Sequence, residues 1–251
     1  MKKAIKLHWA SSKPNFGDCL SPLIVECVSG CKVVHAAPTD CDLVAIGSLL
    51  QRIRNHWWNR RIHIWGTGFI EEGKSTGSRH YIHAVRGPLS AARLESDVKV
   101  YGDPGLLAAL LLDGKVIAKK FQISILAHYK DKDSAELRRL LELYPDAHLI
   151  DVFSDPIEVL SGIAASHLVL SSAMHGLIAA DALGVPNVRL VLSGNLRGGD
   201  YKFIDYYRGI NTVPLPVPDL GRARFEELVD GYSRPELDTV KQGLLASFPD
   251  I

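Results

Sequence analysis

No charge of either sign dominates this chain. Lys and Arg number 29 against 28 Asp and Glu, a formal net charge of +1, so nothing global draws the protein to nucleic acid and no such partner is expected. Long hydrophobic runs are missing as well. The longest wholly apolar stretch, Leu106–Leu112, is far short of the roughly 20 residues a membrane-spanning helix needs. The first residues, MKKAIKLHWASSKPN, are basic but have no apolar segment, so no secretory leader is expected and a cytoplasmic location is. Cysteine is sparse: Cys19, Cys27, Cys31 and Cys41 include no Cys-x-x-Cys pair. They fit no zinc spacing, so free thiols and no metal are expected. A Walker loop, a His-Glu-x-x-His helix and a Gly-x-Ser-x-Gly elbow are all absent, which removes P-loop, zincin and α/β-hydrolase chemistry.

What is present is a βα rhythm. The 251 residues, 47% hydrophobic and 23% charged, suit one large α/β domain or two small ones. Short apolar runs at Ile5–Trp9, Val33–His35, Leu43–Ile46, Ile62–Trp65, Tyr81–Val85 and Val98–Tyr101 alternate with helical stretches near 21–29 and 89–95. After a polar, basic junction at Asp113–Lys120 the rhythm restarts, with strands expected at Gln122–Ala127, His148–Val152, Leu168–Leu170 and Val188–Leu192. Strands separated by helices predict parallel sheets. The restart predicts two Rossmann-like lobes across a cleft, 1–115 and 116–251, the second carrying helices near 223–229 and 235–246 at its end. Thr212–Leu220, with three prolines, reads as an extended crossing segment.

Polar residues gather where strands end, the side on which open α/β sheets bind ligands. Around Leu168–Asn187 the pattern is strand, polar turn, helix, stop. Ser171 and Ser172 are expected to cap the helix, His175 sits at its start, Gly184 suits the left-handed C′ position and Pro186 blocks further helix. A helix N-terminus with an imidazole at its rim is a candidate anion site. Arg86 is either an anion grip or an ion pair; Asp18 either caps a helix at Pro22 or orients a hydroxyl. His128 either acts in proton transfer or bonds a backbone carbonyl. Asp103 reads as a turn and cap residue. Lys202, Asp205, Tyr206 and Tyr207 either bind a sugar or form an ordinary amphipathic turn. Asp181 reads as a solvated helix residue. Arg52–Arg61 (RIRNHWWNRR) has a membrane-interface composition and reads equally as a packed Trp pair with a basic rim.

The same residues give a resemblance. Asn15-Phe16-Gly17-Asp18, Trp65-Gly66-Thr67-Gly68, Val85-Arg86-Gly87-Pro88, Tyr101-Gly102-Asp103-Pro104-Gly105, His128-Tyr129, Ser171-Ser172-x-x-His175-Gly176 and Lys202-x-x-Asp205-Tyr206-Tyr207 form an ordered set over nearly the whole chain. In that set the chain resembles the polysaccharide pyruvyl transferases, most of all the xanthan-type ketal pyruvyl transferases. The resemblance implies a GT-B-like fold. It also implies transfer of pyruvate from phosphoenolpyruvate (PEP) to a terminal sugar of a lipid-linked repeat unit at the cytoplasmic membrane face, giving a cyclic ketal without a cofactor. It casts His175 and Asp18 as catalytic. Arg86, Ser171, Ser172, Gly176, Arg197 and His128 would hold PEP; Asn15, Asp103, Lys202, Asp205, Tyr206 and Tyr207 would hold the acceptor. Many relatives have an arginine two positions before the histidine, where this chain has Ala173, so Arg86 and Arg197 are the expected replacement cations. The competing readings are a sugar-nucleotide glycosyltransferase and a non-catalytic carbohydrate-binding scaffold.

Overall fold

The computed structural model describes residues 4–13, 15–213, 218–233 and 235–251. Two parallel sheets form, each flanked by helices. The first takes β1 (Ile5–His8), β2 (Val33–His35), β3 (Leu43–Val44), β4 (His63–Trp65) and β5 (Tyr81–Ala84) in the order β2-β1-β3-β4-β5. The second takes β6 (Phe121–Leu126), β7 (His148–Leu149), β8 (Ser166–Ser171) and β9 (Asn187–Arg189) in the order β7-β6-β8-β9. Each sheet steps one way from its first strand and then crosses to the other side. The topological switch points therefore lie between β1 and β3 and between β6 and β8, where ligand crevices form at the strands' carboxyl ends.

Helix α1 (Phe16–Ser29) starts five residues before the expected Ser21. The Asn15 side chain accepts from the Asp18 N–H, and Pro22 lies inside the helix instead of opening it. The expected strand at Val98–Tyr101 reduces to a single parallel bridge, Val85 to Tyr101. Helix α2 (Pro88–Arg93) follows β5. The apolar stretch at 104–112 becomes a 3₁₀ helix, Pro104–Leu112. Apolar throughout, it is mostly buried, with Leu110 left exposed, and it lies among α1 of the first half and α4 (Pro156–Ala164) and α5 (Met174–Ala182) of the second. One core thus runs continuously between the sheets.

Helix α3 (Ala135–Leu143) is capped by Ser134, and α4 by Asp155. Gly184 follows α5 with φ +66°, the left-handed turn expected there. The chain then returns to the first sheet. Helix α6 (Tyr201–Gly209) packs on α2, α7 (Phe225–Asp230) stays with the second sheet's core, and α8 (Asp238–Ala246) packs on the 3₁₀ helix. The Trp65 indole N–H donates to the Leu244 carbonyl at 2.9 Å. Of the expected crossing segment at 212–220, residues 214–217 lie outside the described residues. Among the described residues no helix is long and apolar enough to cross a membrane.

Candidate active site

Both switch points open into one cavity of about 490 Å³. Its walls come from the loop after β1 (Lys13, Asn15) and the first turn of α1 (Phe16, Gly17, Asp18), from the segment after β3 (Gly47, Ser48, Leu49, Arg52), from the loop after β6 (His128, Tyr129, Lys130), from the start of α5 (His175), and from Lys202 on α6. The lining carries Lys13, Arg52, Lys130 and Lys202 against a single carboxylate, Asp18. Helix α5 has no side-chain cap on its first turn, so its N-terminal amides add partial positive charge. The cavity is built to take an anion.

His175 is held between the halves of the chain. A Cβ on Gly17 would lie 2.2 Å from the imidazole Nδ1, and one on Gly105 would lie 3.9 Å from Cδ2. Glycine at 17 is what lets α1 and α5 meet at this ring. On the far side, Nε2 stands 3.7 Å from Asp103 Oδ2. Both atoms are buried and lack a hydrogen-bond partner among the described residues. A carboxylate this close behind an imidazole can orient the ring for catalysis, as in other nucleophile–base–orienter sets.

Asp18 faces the same space. Burial raises its carboxyl above the usual range, while the nearby His175 charge and the Asn15 hydrogen bond pull it back. The Asn15 amide donates to Asp18 Oδ2 at 2.6 Å and to the Lys13 carbonyl at 3.2 Å. Asn15 therefore orients Asp18 and has no amide hydrogen left for the acceptor role expected of it. Burial lowers His128 to about 4, with Lys202 adding to the shift. Its Nδ1 accepts from the Lys130 N–H at 3.2 Å, so the neutral ring carries its proton on Nε2 and can donate to an anion. Lys202 is lowered to about 8, first by burial and then by the charges of Arg86, Arg189 and Lys130.

Several expected site residues are elsewhere. Arg86 is fully buried: Nε donates to Asp205 Oδ2 at 3.1 Å, Nη1 to the Ser48 hydroxyl at 2.8 Å and Nη2 to the Phe69 carbonyl at 2.5 Å. It is a structural ion pair, and Asp205 is its partner in place of a sugar. Arg197 is exposed and paired with Glu71 at 2.5 Å, outside the cavity lining. The Ser171 hydroxyl braces Leu126 and Ala173, and the Ser172 hydroxyl donates to Asp131 and accepts from the His128 N–H. Neither serine caps α5, and both are buried away from the cavity. Gly176 is a close packing point against Leu126 and Ser171. Asp103 lies behind His175, where it also accepts from the Gly105 N–H at 2.9 Å. It is a positioning residue and does not reach an acceptor. Tyr206 is fully buried and donates to Asp181 Oδ2 at 2.6 Å; Tyr207 lines a different cavity. Asp181, expected in solvent, is buried and also accepts from Tyr232 and Asn187.

Lys13, Arg52 and Lys130 line the cavity where Arg86 and Arg197 are expected, and the sequence motifs do not single them out. Lys13 and Lys130 lie in the very strand-end loops that supplied Asn15 and His128, and a basic residue in such a loop was the available signal.

Two parallel lobes with a cationic cleft at their switch points, a histidine and one carboxylate define an enzyme-like α/β protein whose cleft suits an anionic ligand. A family model described as polysaccharide pyruvyl transferase matches residues 2–193. The succinoglycan biosynthesis protein ExoV of Rhizobium meliloti (strain 1021) is 27% identical over 234 residues, covering 89% of this chain and 70% of that one. The uncharacterized protein L143 of Acanthamoeba polyphaga mimivirus is 27% identical over 218 residues, 82% of this chain and 74% of that one. The chain belongs to the polysaccharide pyruvyl transferase family, and so to a family of transferases. The match includes Lys13, Asp18, Arg52, Lys130 and His175 and ends before Lys202.

Proposed function

We propose that the protein transfers pyruvate from PEP to a terminal sugar of a lipid-linked exopolysaccharide repeat unit, forming a cyclic ketal and releasing phosphate at the cytoplasmic face of a membrane. The observation that carries this reading is the excess of four cations over one carboxylate around His175. PEP brings a phosphate and a carboxylate, and needs such a site. The similarity to ExoV, a succinoglycan biosynthesis protein, supports an exopolysaccharide setting. We place the acceptor on residues 1–115 and the donor's reacting carbon beside His175 on 116–251, with Lys13 and Arg52 reaching the donor's charges from the first half.

The chemistry balances without a metal or cofactor. His175 delivers a proton to the PEP methylene carbon, and the adjacent carbon becomes electrophilic. A sugar hydroxyl adds there as Asp18 takes its proton; a carboxylate raised by burial is a better base for that task. The C–O bond to phosphate breaks, a second hydroxyl adds, and its proton leaves with the phosphate. Lys13, Arg52, Lys130 and Lys202 neutralise the donor, and His128 donates through Nε2.

Phosphate release from PEP on adding a lipid-linked oligosaccharide is the expected result. Stabilisation by a nucleotide sugar and none by PEP in a thermal shift would replace this reading with the glycosyltransferase one. Ligand at about 100 times Kd adds roughly 2.7 kcal/mol, an easily read shift.

Lys202 makes the donor affinity pH-dependent. Below about pH 8 its ammonium is charged; above that it loses its proton. A phosphate monoester is fully ionised above its second pKa of about 6, so the ligand does not change over the same range. PEP affinity is expected to fall about tenfold from pH 7 to pH 9. Lys202→Met is expected to bind weakly at pH 7 and to flatten that dependence, as titration calorimetry at the two pH values would show.

A further inference from the structure

The cavity wall at Arg52 runs directly into an exposed loop with an unusual surface. Trp57 is 78% exposed and Trp58 67%. Such exposure on two adjacent tryptophans forgoes a large hydrophobic gain unless something apolar covers them. The stretch from Arg52 to Arg61 also carries Arg54 and Arg60 and no acidic residue.

The loop is fixed in place. The Arg79 guanidinium donates to the His56 carbonyl at 2.8 Å and to the Asn59 carbonyl. The Asn55 side chain accepts from the Arg79 N–H at 2.9 Å and donates to the carbonyls of Thr76 and Gly77. His80 binds the Arg54 carbonyl. The rings are ordered too: His56 stacks on Trp58 at 4.6 Å, and Trp57 meets Trp58 edge-on at 5.6 Å. The tryptophans are thus displayed on a braced support beside arginines.

We propose that this loop docks the protein on an anionic lipid surface, with Trp57 and Trp58 entering the headgroup region and Arg54 and Arg61 engaging anionic headgroups, Arg60 being paired with Asp42 at 2.5 Å. Tryptophan favours that interface, and arginine adds attraction to an anionic leaflet. A saccharide platform fits less well. No carboxylate stands in the loop to take sugar hydroxyls, the Asn55 amide is committed to residues 76–79, and one face of Trp58 is covered by His56. Trp57 follows Arg52 by five residues, so its Cα lies within about 18 Å of the Arg52 Cα. The docking loop and the donor cavity therefore share one short stretch of chain. The inference extends the lipid-linked acceptor reading, but vesicle binding needs no turnover and is judged independently of it.

The test is co-sedimentation of the full chain with phosphatidylcholine vesicles, with and without about a third phosphatidylglycerol, alongside tryptophan emission. Wild type is expected to partition onto the anionic vesicles with a blue shift, and to release as salt rises. Trp57→Ala/Trp58→Ala is expected to lose at least tenfold in partitioning and the shift with it, at unchanged melting temperature, since neither ring is in the core. Arg54→Glu/Arg61→Glu is expected to lose about fivefold or more per arginine. The proposal is overturned by wild type that ignores both vesicles, or by a double-tryptophan variant that partitions like wild type. Quenching by soluble oligosaccharide, or dimerisation through the tryptophans, without vesicle binding also overturns it. Failure of PEP turnover with vesicle binding intact would instead count against the proposed reaction alone.

Discussion

His175→Ala is expected to lower turnover by about 10² to 10⁴, the range set by losing a positioned proton donor, while the protein stays folded. The second half of that expectation follows from the pocket around the ring. Asp103 Oδ2 has no hydrogen bond even with the imidazole present, so truncation creates no new unsatisfied acceptor. The remaining cost is the space vacated between Gly17 and Gly105, a moderate cavity term. Phosphate release and a melting curve on the same sample separate the two effects. Near-wild-type turnover in that variant would remove His175 from the chemistry. Asp103→Asn is the companion measurement. It keeps the oxygen that accepts from the Gly105 N–H and removes the charge facing Nε2, so kcat should fall while the affinity for PEP, set by the cations, holds.

The parts of this molecule readable from sequence are those fixed by local periodicity. Parallel strands, the helices after them and the left-handed turn at Gly184 follow from apolar runs, caps and breakers within a few residues of one another. The start of α1 was misplaced because Pro22 looked like an opening residue, while the Asn15 cap lies seven positions earlier. At the site, the meeting of His175, Asp18 and His128 was legible because strand ends converge in a parallel fold. Lys202 reaches the same cavity from α6 and not from a strand end, and the sequence marks it only as a sugar-binding candidate. Arg86 also sits at a strand end and nevertheless points inward. What decides its direction is Asp205, separated from it by 119 residues, and no local pattern carries that pairing. The same holds for Tyr206, whose hydroxyl is claimed by Asp181. An aromatic beside a charge on a short helix looks identical whether its face meets a sugar or a core.

Asp205→Ala is expected to be the most destabilising single change near the site, by about 3–5 kcal/mol, because it strands a buried arginine. Both side chains of the pair are fully buried. The carboxylate does more than pair: Oδ1 accepts from the N–H groups of Leu89 at 2.9 Å and Ser90 at 3.1 Å, and Oδ2 from the Ser90 hydroxyl at 2.6 Å. It therefore caps α2 from a helix more than a hundred residues away. Arg86→Met/Asp205→Leu removes both charges and should recover part of the loss, but only part, since the two α2 amides remain without their acceptor. Thermal or urea melts of Asp205→Ala, Arg86→Met and the double variant measure that coupling; a double-variant loss equal to the sum of the two single losses would mean the ion pair contributes nothing. The consequence for function runs through α6. Lys202 precedes Asp205 by three residues, on the same side of the helix, so loosening the Asp205 anchor moves the ammonium that reaches the cavity. Measured well below its lowered melting temperature, Asp205→Ala should therefore bind PEP more weakly than Arg197→Ala, whose guanidinium lies outside the cavity.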